Sequence, residues 1–480
     1  MKDWMVYSIL KDAAEKWPDN PAVFDQYGTL TFKQLFVETE KLKAQLKKLG
    51  IAPGMGVGVK AHNGRNFIVA IFAVIGCGAT AMPMSHQLKK AEIDDILEEA
   101  RLHAILFDTN GVQPFADIDC FIPMGHELMQ FSFTGVSFDT IFAPHVHQPA
   151  FIRFTSGTTG KSKGVIVSHQ SVLERIEGAN KALQLGPGDT VIWALPMAYH
   201  FIVSIVLYIR FGAAIAIARD FLAQTIIDIT NQHSGTLLYA SPIQVRLLAS
   251  DTGTVLMPSL KKIISTSEPI SLQVCKAFKE RFGLDVSQAY GIIEIGLPII
   301  NFVRSSEAPD AVGYALPDYE VAILDDNFNP LPRGSEGHLA IRGPGMFDAY
   351  LLPKRLRDEV LQNGYFLTAD YATMDDDGLI RVKGREKSVI NVSGSKVFPE
   401  EVEAVLQTLP EIKLARISSA PHPLLGQIIQ AELVLNEGKA IDEEEVLTYC
   451  RKRLSTFKIP QRLKIVDSLQ MTGSGKIQRF

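Results

Sequence analysis

Thr155-Ser156-Gly157-Thr158-Thr159-Gly160-Lys161-Ser162-Lys163-Gly164 is the stretch whose reading decides the fold. Hydroxyl side chains, glycines and two lysines fill its ten positions. Phe151-Ile152-Arg153-Phe154 before it and Val165-Ile166-Val167 after it read as strands. Glycine lets backbone N–H groups close on an anion, hydroxyls donate further bonds, and lysine supplies charge. The stretch therefore predicts a phosphate-holding loop that joins strand to strand.

The rest of the chain bounds what such a loop can belong to. Its 480 residues exceed the usual size of one domain, so at least two are expected. The apolar share of 46% and charged share of 21% suit a globular enzyme. A net charge of −5 argues against a nucleic-acid or anionic-membrane partner. Cys77, Cys120, Cys275 and Cys450 lie far apart, which indicates reduced core thiols rather than zinc ligands or a disulfide framework. Met1-Lys2-Asp3-Trp4 does not open a signal peptide, so a cytoplasmic setting is expected. Two apolar runs, 67–83 and 201–218, are broken by Gly76, Gly78 and Arg210, which suits buried elements better than a membrane span.

Helical and strand-like segments alternate through most of the chain. Residues 33–49 and 65–75 have helical spacing, and Ser171-Val172-Leu173-Glu174 has the form of a capping box opening a helix. Short apolar runs at 57–59, 104–107, 191–193, 215–217, 236–239 and 263–264 read as strands, several with the continuous apolar character of buried ones. This rhythm predicts α/β architecture, with sheets flanked by helices. After about residue 310, alternating segments at 320–324 and 338–342 predict a β-rich subdomain. Asp375-Asp376-Asp377-Gly378 reads as a solvated turn rather than a metal site. Beyond residue 387, a helix from Pro399, strands at 414–418 and 428–434 and a helix at 443–454 suffice for a small α+β domain. The expected division is 1–384, a joint at 385–387, and 388–480.

Two nucleotide motifs fail on spacing. The P-loop needs G-x-x-x-x-G-K-[ST]. Gly160-Lys161-Ser162 has Thr155 where the first glycine belongs, and Gly475-Lys476 has Gln470 there and Ile477 after the lysine. What the stretch 155–164 resembles is the signature loop of the adenylate-forming enzymes: acyl- and aryl-CoA synthetases, peptide-synthetase adenylation domains and luciferases. Ser162 stands where that family usually has proline.

Further blocks follow in family order, so the resemblance spans nearly the whole chain. Ser265-Thr266-Ser267-Glu268-Pro269 is similar to the segment lining the adenine, which implies nucleotide contacts for Ser267, Glu268 and Pro269. Ser287-Gln288-Ala289-Tyr290-Gly291-Ile292-Ile293-Glu294 resembles the block whose glutamate holds Mg²⁺ on the phosphates of ATP; Ile293 replaces a usual threonine. Thr368-Ala369-Asp370 resembles the block whose aspartate binds the ribose, with Ala369 replacing a usual glycine. Gly384-Arg385-Glu386-Lys387 is similar to the block that adds an arginine at the ribose and, at Lys387, the interdomain hinge. Ser474-Gly475-Lys476-Ile477 resembles the block carrying the catalytic lysine.

The resemblance implies a two-step reaction. A carboxylate attacks the α-phosphate of ATP, pyrophosphate leaves, and a thiol of coenzyme A or of carrier-protein phosphopantetheine takes the acyl group. Thr155, Ser156, Gly157, Thr158, Thr159, Gly160 and Lys163 would hold the outer phosphates, and Lys476 would bridge carboxylate and α-phosphate. Gly394, in the turn Ser393-Gly394-Ser395, would lie near the incoming thiol. Tyr199 or His200 would take the place of an aromatic gate beside the acid. Amino-acid-activating members usually carry Phe-Asp-x-Ser there, whereas this chain has Phe201-Ile202-Val203-Ser204. Isoleucine cannot pair an ammonium, so the acid is expected to be apolar, aryl or fatty, against Phe201, Ile202 and Ile293. The alternatives are a stand-alone adenylation enzyme loading a carrier protein and a degenerate nucleotide- or acyl-binding homologue.

Overall fold

A computed structural model describes residues 5–108, 118–125, 127–155, 163–392, 395–422 and 426–470. Two large sheets dominate the described residues. In the first, strands Thr80–Ser85, Gly56–Ala61 and Ala104–Asp108 run parallel at the centre. Pro149–Thr155, Lys163–Ser168, Ala349–Tyr350 and Arg355–Leu356 extend one side, and Glu127–Phe133 and Cys120–Met124 the other. In the second, Lys262–Ser265, Leu237–Ala240, Thr190–Trp193, Ala214–Ile217 and Pro21–Asp25 are parallel neighbours, with Val286–Ile292 parallel beyond Lys262–Ser265.

Helices fill the space between these sheets. Arg65–Gly76 is buried from Phe67 onward, so it is apolar all round where an ordinary amphipathic helix would be half polar. It shares one core with Met5–Lys16, Phe32–Lys48, His169–Leu183 and residues of both sheets. Each large apolar side chain fully buried there contributes roughly 1.5–3 kcal/mol. Both faces of the sheets are covered, which is why their strands read as unbroken apolar runs.

A four-stranded antiparallel sheet follows: Glu320–Leu324, Glu336–Arg342, Phe366–Met374 and Ile380–Arg385. The C-terminal region forms a further sheet from Ile390–Val392, Ser395–Val397, Ile412–His422, Gly426–Leu435 and Arg462–Ile465. Helices Pro399–Leu406 and Glu443–Arg451 pack on it, and this unit has a core of its own around Val402, Ile417, Leu433 and Val446. It meets the larger body at several points: the Arg246 guanidinium donates to the Lys413 carbonyl at 2.7 Å, Gln273 donates to the Thr408 carbonyl, the Lys383 ammonium lies 3.5 Å from the Glu401 carboxylate, the Tyr371 and Phe398 rings lie 5.4 Å apart, and Phe398 and Glu400 pack on Gly384.

One local expectation needs correction, and one is met. Ser171 does not cap a helix. The strand Lys163–Ser168 runs straight into His169–Leu183, whose cap is Ser168, its hydroxyl accepting from the Ser171 N–H at 3.2 Å. Glu174 turns instead to the Gly345 N–H, 3.0 Å away. The apolar run 201–218 is a π-helical turn Phe201–Ile205, a short helix Val206–Phe211 and the strand Ala214–Ile217. No helix among the described residues is long and apolar enough to cross a membrane.

Candidate active site

Thr155 stands opposite Lys163 in an antiparallel hairpin, so the signature loop springs from paired strands. Ser156, Gly157, Thr158, Thr159 and Gly160 lie outside the described residues, as do Gly394 and Lys476. At the base of the hairpin, the Lys163 ammonium sits 5.0 Å from the centre of the Tyr350 ring. The Tyr350 hydroxyl donates to Glu294 Oε1 at 3.1 Å. Lys163, Tyr350 and Glu294 thus form one wall of a cleft of about 2110 Å³. Tyr350 had no signal in the sequence beyond its place in a short apolar run; the pairing of its strand with Val165 delivers it here.

Burial pushes the Glu294 carboxyl above its ordinary range, while its backbone N–H, the Tyr350 hydroxyl, Arg153 and Lys163 pull against that. Below Glu294, the Ile293 carbonyl accepts from Arg175 at 3.0 Å, and Arg175 is fully buried. Gly291 is required by close approach: a Cβ there would stand 2.6 Å from the Gly296 carbonyl oxygen. Among the described residues no group of three His, Cys, Asp or Glu could cage a metal. A single half-buried carboxylate in a cleft suits Mg²⁺, which keeps several waters and takes phosphate oxygens as partners. Glu294 fits that donor set, and the ion would supply positive charge there.

Across the cleft, Asp370 and Arg385 are register partners, with Arg385 Nε 3.5 Å from Asp370 Oδ1. The Tyr290 hydroxyl donates to Asp370 Oδ2 at 2.5 Å. Burial, then the Asp370 charge, pushes the Tyr290 phenol well up. Ala369 adopts φ +60°, the left-handed region. An L side chain there costs about 1–2 kcal/mol, which explains why glycine is the usual occupant.

A further wall of the cleft is built around residues 195–200. Asn63 clamps this segment, donating to the Leu195 carbonyl at 2.7 Å and accepting from the Met197 N–H at 2.9 Å. Tyr199, His200, Val203, Ser204 and Tyr239 line the cleft here. Tyr239 stacks on Trp193, ring centres 5.6 Å apart, and His200 stands edge-on to both.

Comparison with known proteins identifies the chain at this point. The AMP-binding enzyme family matches residues 10–351, and the AMP-binding enzyme C-terminal domain matches 401–476. The chain belongs to the AMP-binding enzymes. Relatives of this adenylate-forming, acyl-CoA-synthetase-like enzyme include the oxalate–CoA ligase of Arabidopsis thaliana, 27% identical over 98% of the chain and 96% of the relative. Another is the fatty acid–[acyl-carrier-protein] ligase ScoC of Streptomyces coeruleorubidus, 26% identical over 97% and 93%. ATP-bound MatB from Rhodopseudomonas palustris has the same fold: TM-score 0.84, 22% identity, 98% and 97% coverage. So has the o-succinylbenzoate CoA synthetase of Bacillus subtilis holding its acyl-adenylate: TM-score 0.84, 23% identity, 98% and 96% coverage.

The cleft of this AMP-binding enzyme gathers Lys163, Tyr199, His200, Ser267, Glu268, Gly291, Ile293, Glu294 and Arg385 from segments far apart in sequence. Tyr290 and Asp370, hydrogen-bonded to each other, lie outside the lining, as does the exposed Pro269. Lys387 lies exposed in the short helical turn Glu386–Ser388. Phe201 and Ile202 correct the acid-pocket expectation. They are 1% and 3% exposed and belong to the core, Phe201 against Phe67, Phe72 and Phe151. The π-helical turn rotates them inward and presents Val203 and Ser204 to the cleft. Arg153 and Tyr350 line the cleft and Arg175 braces the Ile293 carbonyl beneath it, and the sequence motifs singled out none of the three.

Proposed function

We propose that this enzyme activates an apolar aryl or fatty carboxylic acid with ATP, forming an acyl-adenylate, and passes the acyl group to coenzyme A. The convergence of Lys163, Glu294 and Arg385 on one cleft carries the reading. Two anions must meet in the first step, so the site has to supply donors and positive charge where charge develops. Thr155–Gly160 and Lys163 are proposed for the β- and γ-phosphates, Ser267 and Glu268 for the adenine, and Asp370 and Arg385 for the ribose. Mg²⁺ on Glu294 would offset charge on the phosphates. Lys476 is proposed to touch both carboxylate and α-phosphate; losing such a partner costs on the order of 10²–10³ in rate.

The aromatic wall of Tyr199, His200 and Tyr239 with Val203, Ile292 and Ile293 supports an apolar acid. The separate core of the C-terminal unit supports a mobile C-terminal domain turning at Lys387, with division at 384 and 388. A reducing cytoplasm, rich in ATP and coenzyme A, suits four unpaired thiols. The name of the carrier-protein ligase ScoC keeps phosphopantetheine as the alternative acceptor.

Acid-dependent ATP–pyrophosphate exchange, run over aryl and fatty acids, tests this. Exchange with at least one acid is expected, followed by thioester formation on adding coenzyme A. Absence of exchange across the panel would favour a degenerate binding homologue. Thioester only on a carrier protein would assign the other acceptor.

A further inference from the structure

Arg153 lies on the strand Pro149–Thr155, two residues before the signature loop, and lines the cleft. One of its nitrogens, Nη1, donates to the Tyr199 carbonyl, and its guanidinium lies 5.0 Å from the centre of the Tyr199 ring. Its Nε is buried without a hydrogen-bond partner among the described residues. No carboxylate among the described residues forms an ion pair with it within 4 Å, yet it and Glu294 feel each other's charge. Desolvation of this kind disfavours a cation unless an anion offsets it. The guanidinium therefore stands between the acid wall at Tyr199 and the wall carrying Glu294, with most of its planar fork unused.

We infer that Arg153 grips the carboxylate of the acid substrate and aims it at the α-phosphate. This rests on the acid-activation reading and adds a residue to it. Arginine suits the task because its fork matches a carboxylate in two parallel bonds. Holding Tyr199 through its carbonyl and ring face fixes the fork's orientation. Arg153 joins Lys163 as a cationic donor in the lining of this cleft. No bond is made or broken by the guanidinium; it positions the nucleophile.

The experiment compares the full-length wild type with Arg153→Gln, Arg153→Lys and Arg153→Met. Binding of benzoate, octanoate and malonate is measured by calorimetry against that of their amides, with the KM values for acid and ATP from exchange. In the wild type at least one carboxylate should bind about 10- to 100-fold tighter than its amide, as a charge-assisted pair implies. Arg153→Gln, which keeps a donor for the Tyr199 carbonyl, should erase that preference and raise the acid KM by the same factor. The ATP KM should stay within about twofold, which also shows that the variant is folded, and Arg153→Lys should retain part of the preference.

An equal loss of acid and amide binding would show that Arg153 only shapes the Tyr199 segment, and the inference would fall. A raised ATP KM with the preference intact would assign Arg153 to the phosphate and overturn it too, as would a wild type indifferent to charge. A wild type that prefers carboxylates but shows no exchange would remove the acid-activation reading and leave Arg153 as a carboxylate site.

Discussion

Arg175→Met probes how the fold holds Glu294 in place. Arg175 is 0% exposed on the helix His169–Leu183. Its Nε and Nη2 donate to the Gly345 carbonyl at 2.9 and 2.5 Å, and its Nη1 to the Ile293 carbonyl at 3.0 Å. Gly345 sits at φ +66°, and a Cβ there would meet the Ser171 carbonyl oxygen at 2.4 Å, so the helix and this turn are in direct contact. One side chain thereby ties together the segments that carry Tyr350 and Glu294. Burial pulls the guanidinium from 12.5 down to about 10. At about 1.4 kcal/mol per pH unit, keeping the charge inside costs about 3 kcal/mol. Methionine removes that cost but strands two buried carbonyls, at roughly 1–3 kcal/mol each. The net loss of stability is therefore small, between about −1 and +3 kcal/mol and centred near 1. The effect on the site should be larger, because Glu294 loses its anchor one residue away. The Mg²⁺ concentration for half-maximal exchange is expected to rise about tenfold, the effect of misplacing an outer partner of a ligand. Urea unfolding and a Mg²⁺ titration of exchange measure the two quantities. An unchanged Mg²⁺ requirement with a lowered unfolding midpoint would refute the anchoring role and leave Arg175 a packing residue.

Two predictions concern protons. The raised Glu294 carboxyl takes up a proton at higher pH than a free glutamate, so Mg²⁺-dependent exchange should fall as pH drops through that raised value. Glu294→Gln should lose both most of the rate and that acidic limb; an identical limb would exclude Glu294 as its source. His62 forms a short pair with Asp108 (Nδ1 to Oδ2, 2.5 Å), which holds the imidazole above its ordinary range against burial. Burial pushes Asp108 up, but the ring and backbone N–H of His62 outweigh it and keep the carboxyl low. The pair therefore stabilises the fold between the ordinary values of the two groups: its histidine share fades as pH rises through the raised value, its aspartate share as pH falls through the lowered one. Asp108→Asn should drop the His62 midpoint below 6.5, since burial and Lys60 then outweigh the smaller pull of Glu127; an unmoved midpoint in an NMR titration would refute the pairing.

The α/β architecture was legible because buried parallel strands leave continuous apolar runs, and residues 104–107 and 263–264 are such runs. The candidate nucleotide residues were legible as short blocks with unusual glycine and charge. Residues whose role depends on a partner distant in sequence were not. Tyr350 owes its place to a two-residue strand, Arg175 to a carbonyl 118 positions away, and Arg153 to the backbone of Tyr199. An arginine within an apolar helical face is the one trace such a residue leaves, and it also marks ordinary surface positions. Cap position failed for a related reason: Ser168 and Ser171 are both serines, and only the end of the preceding strand decides between them.

The acid pocket was misread through a change of helical period. In the turn Phe201–Ile205, the Val206 N–H bonds to the Phe201 carbonyl, one residue further than in an α-helix. That widening shifts the facing of the side chains by about one position. Apolar residues fill 201, 202, 203 and 205 alike, so no pattern of polarity reveals the shift. Its consequence is chemical. Ile202 is in the core, so its lack of charge says nothing about whether an ammonium could bind. The argument passes to the residues of this turn that reach the cleft, Val203 and Ser204, and to Tyr239 facing them. None of the three carries a negative charge that could pair an ammonium. The same turn leaves Arg153 as the charged neighbour of Tyr199, the position from which the proposed grip on a carboxylate would act.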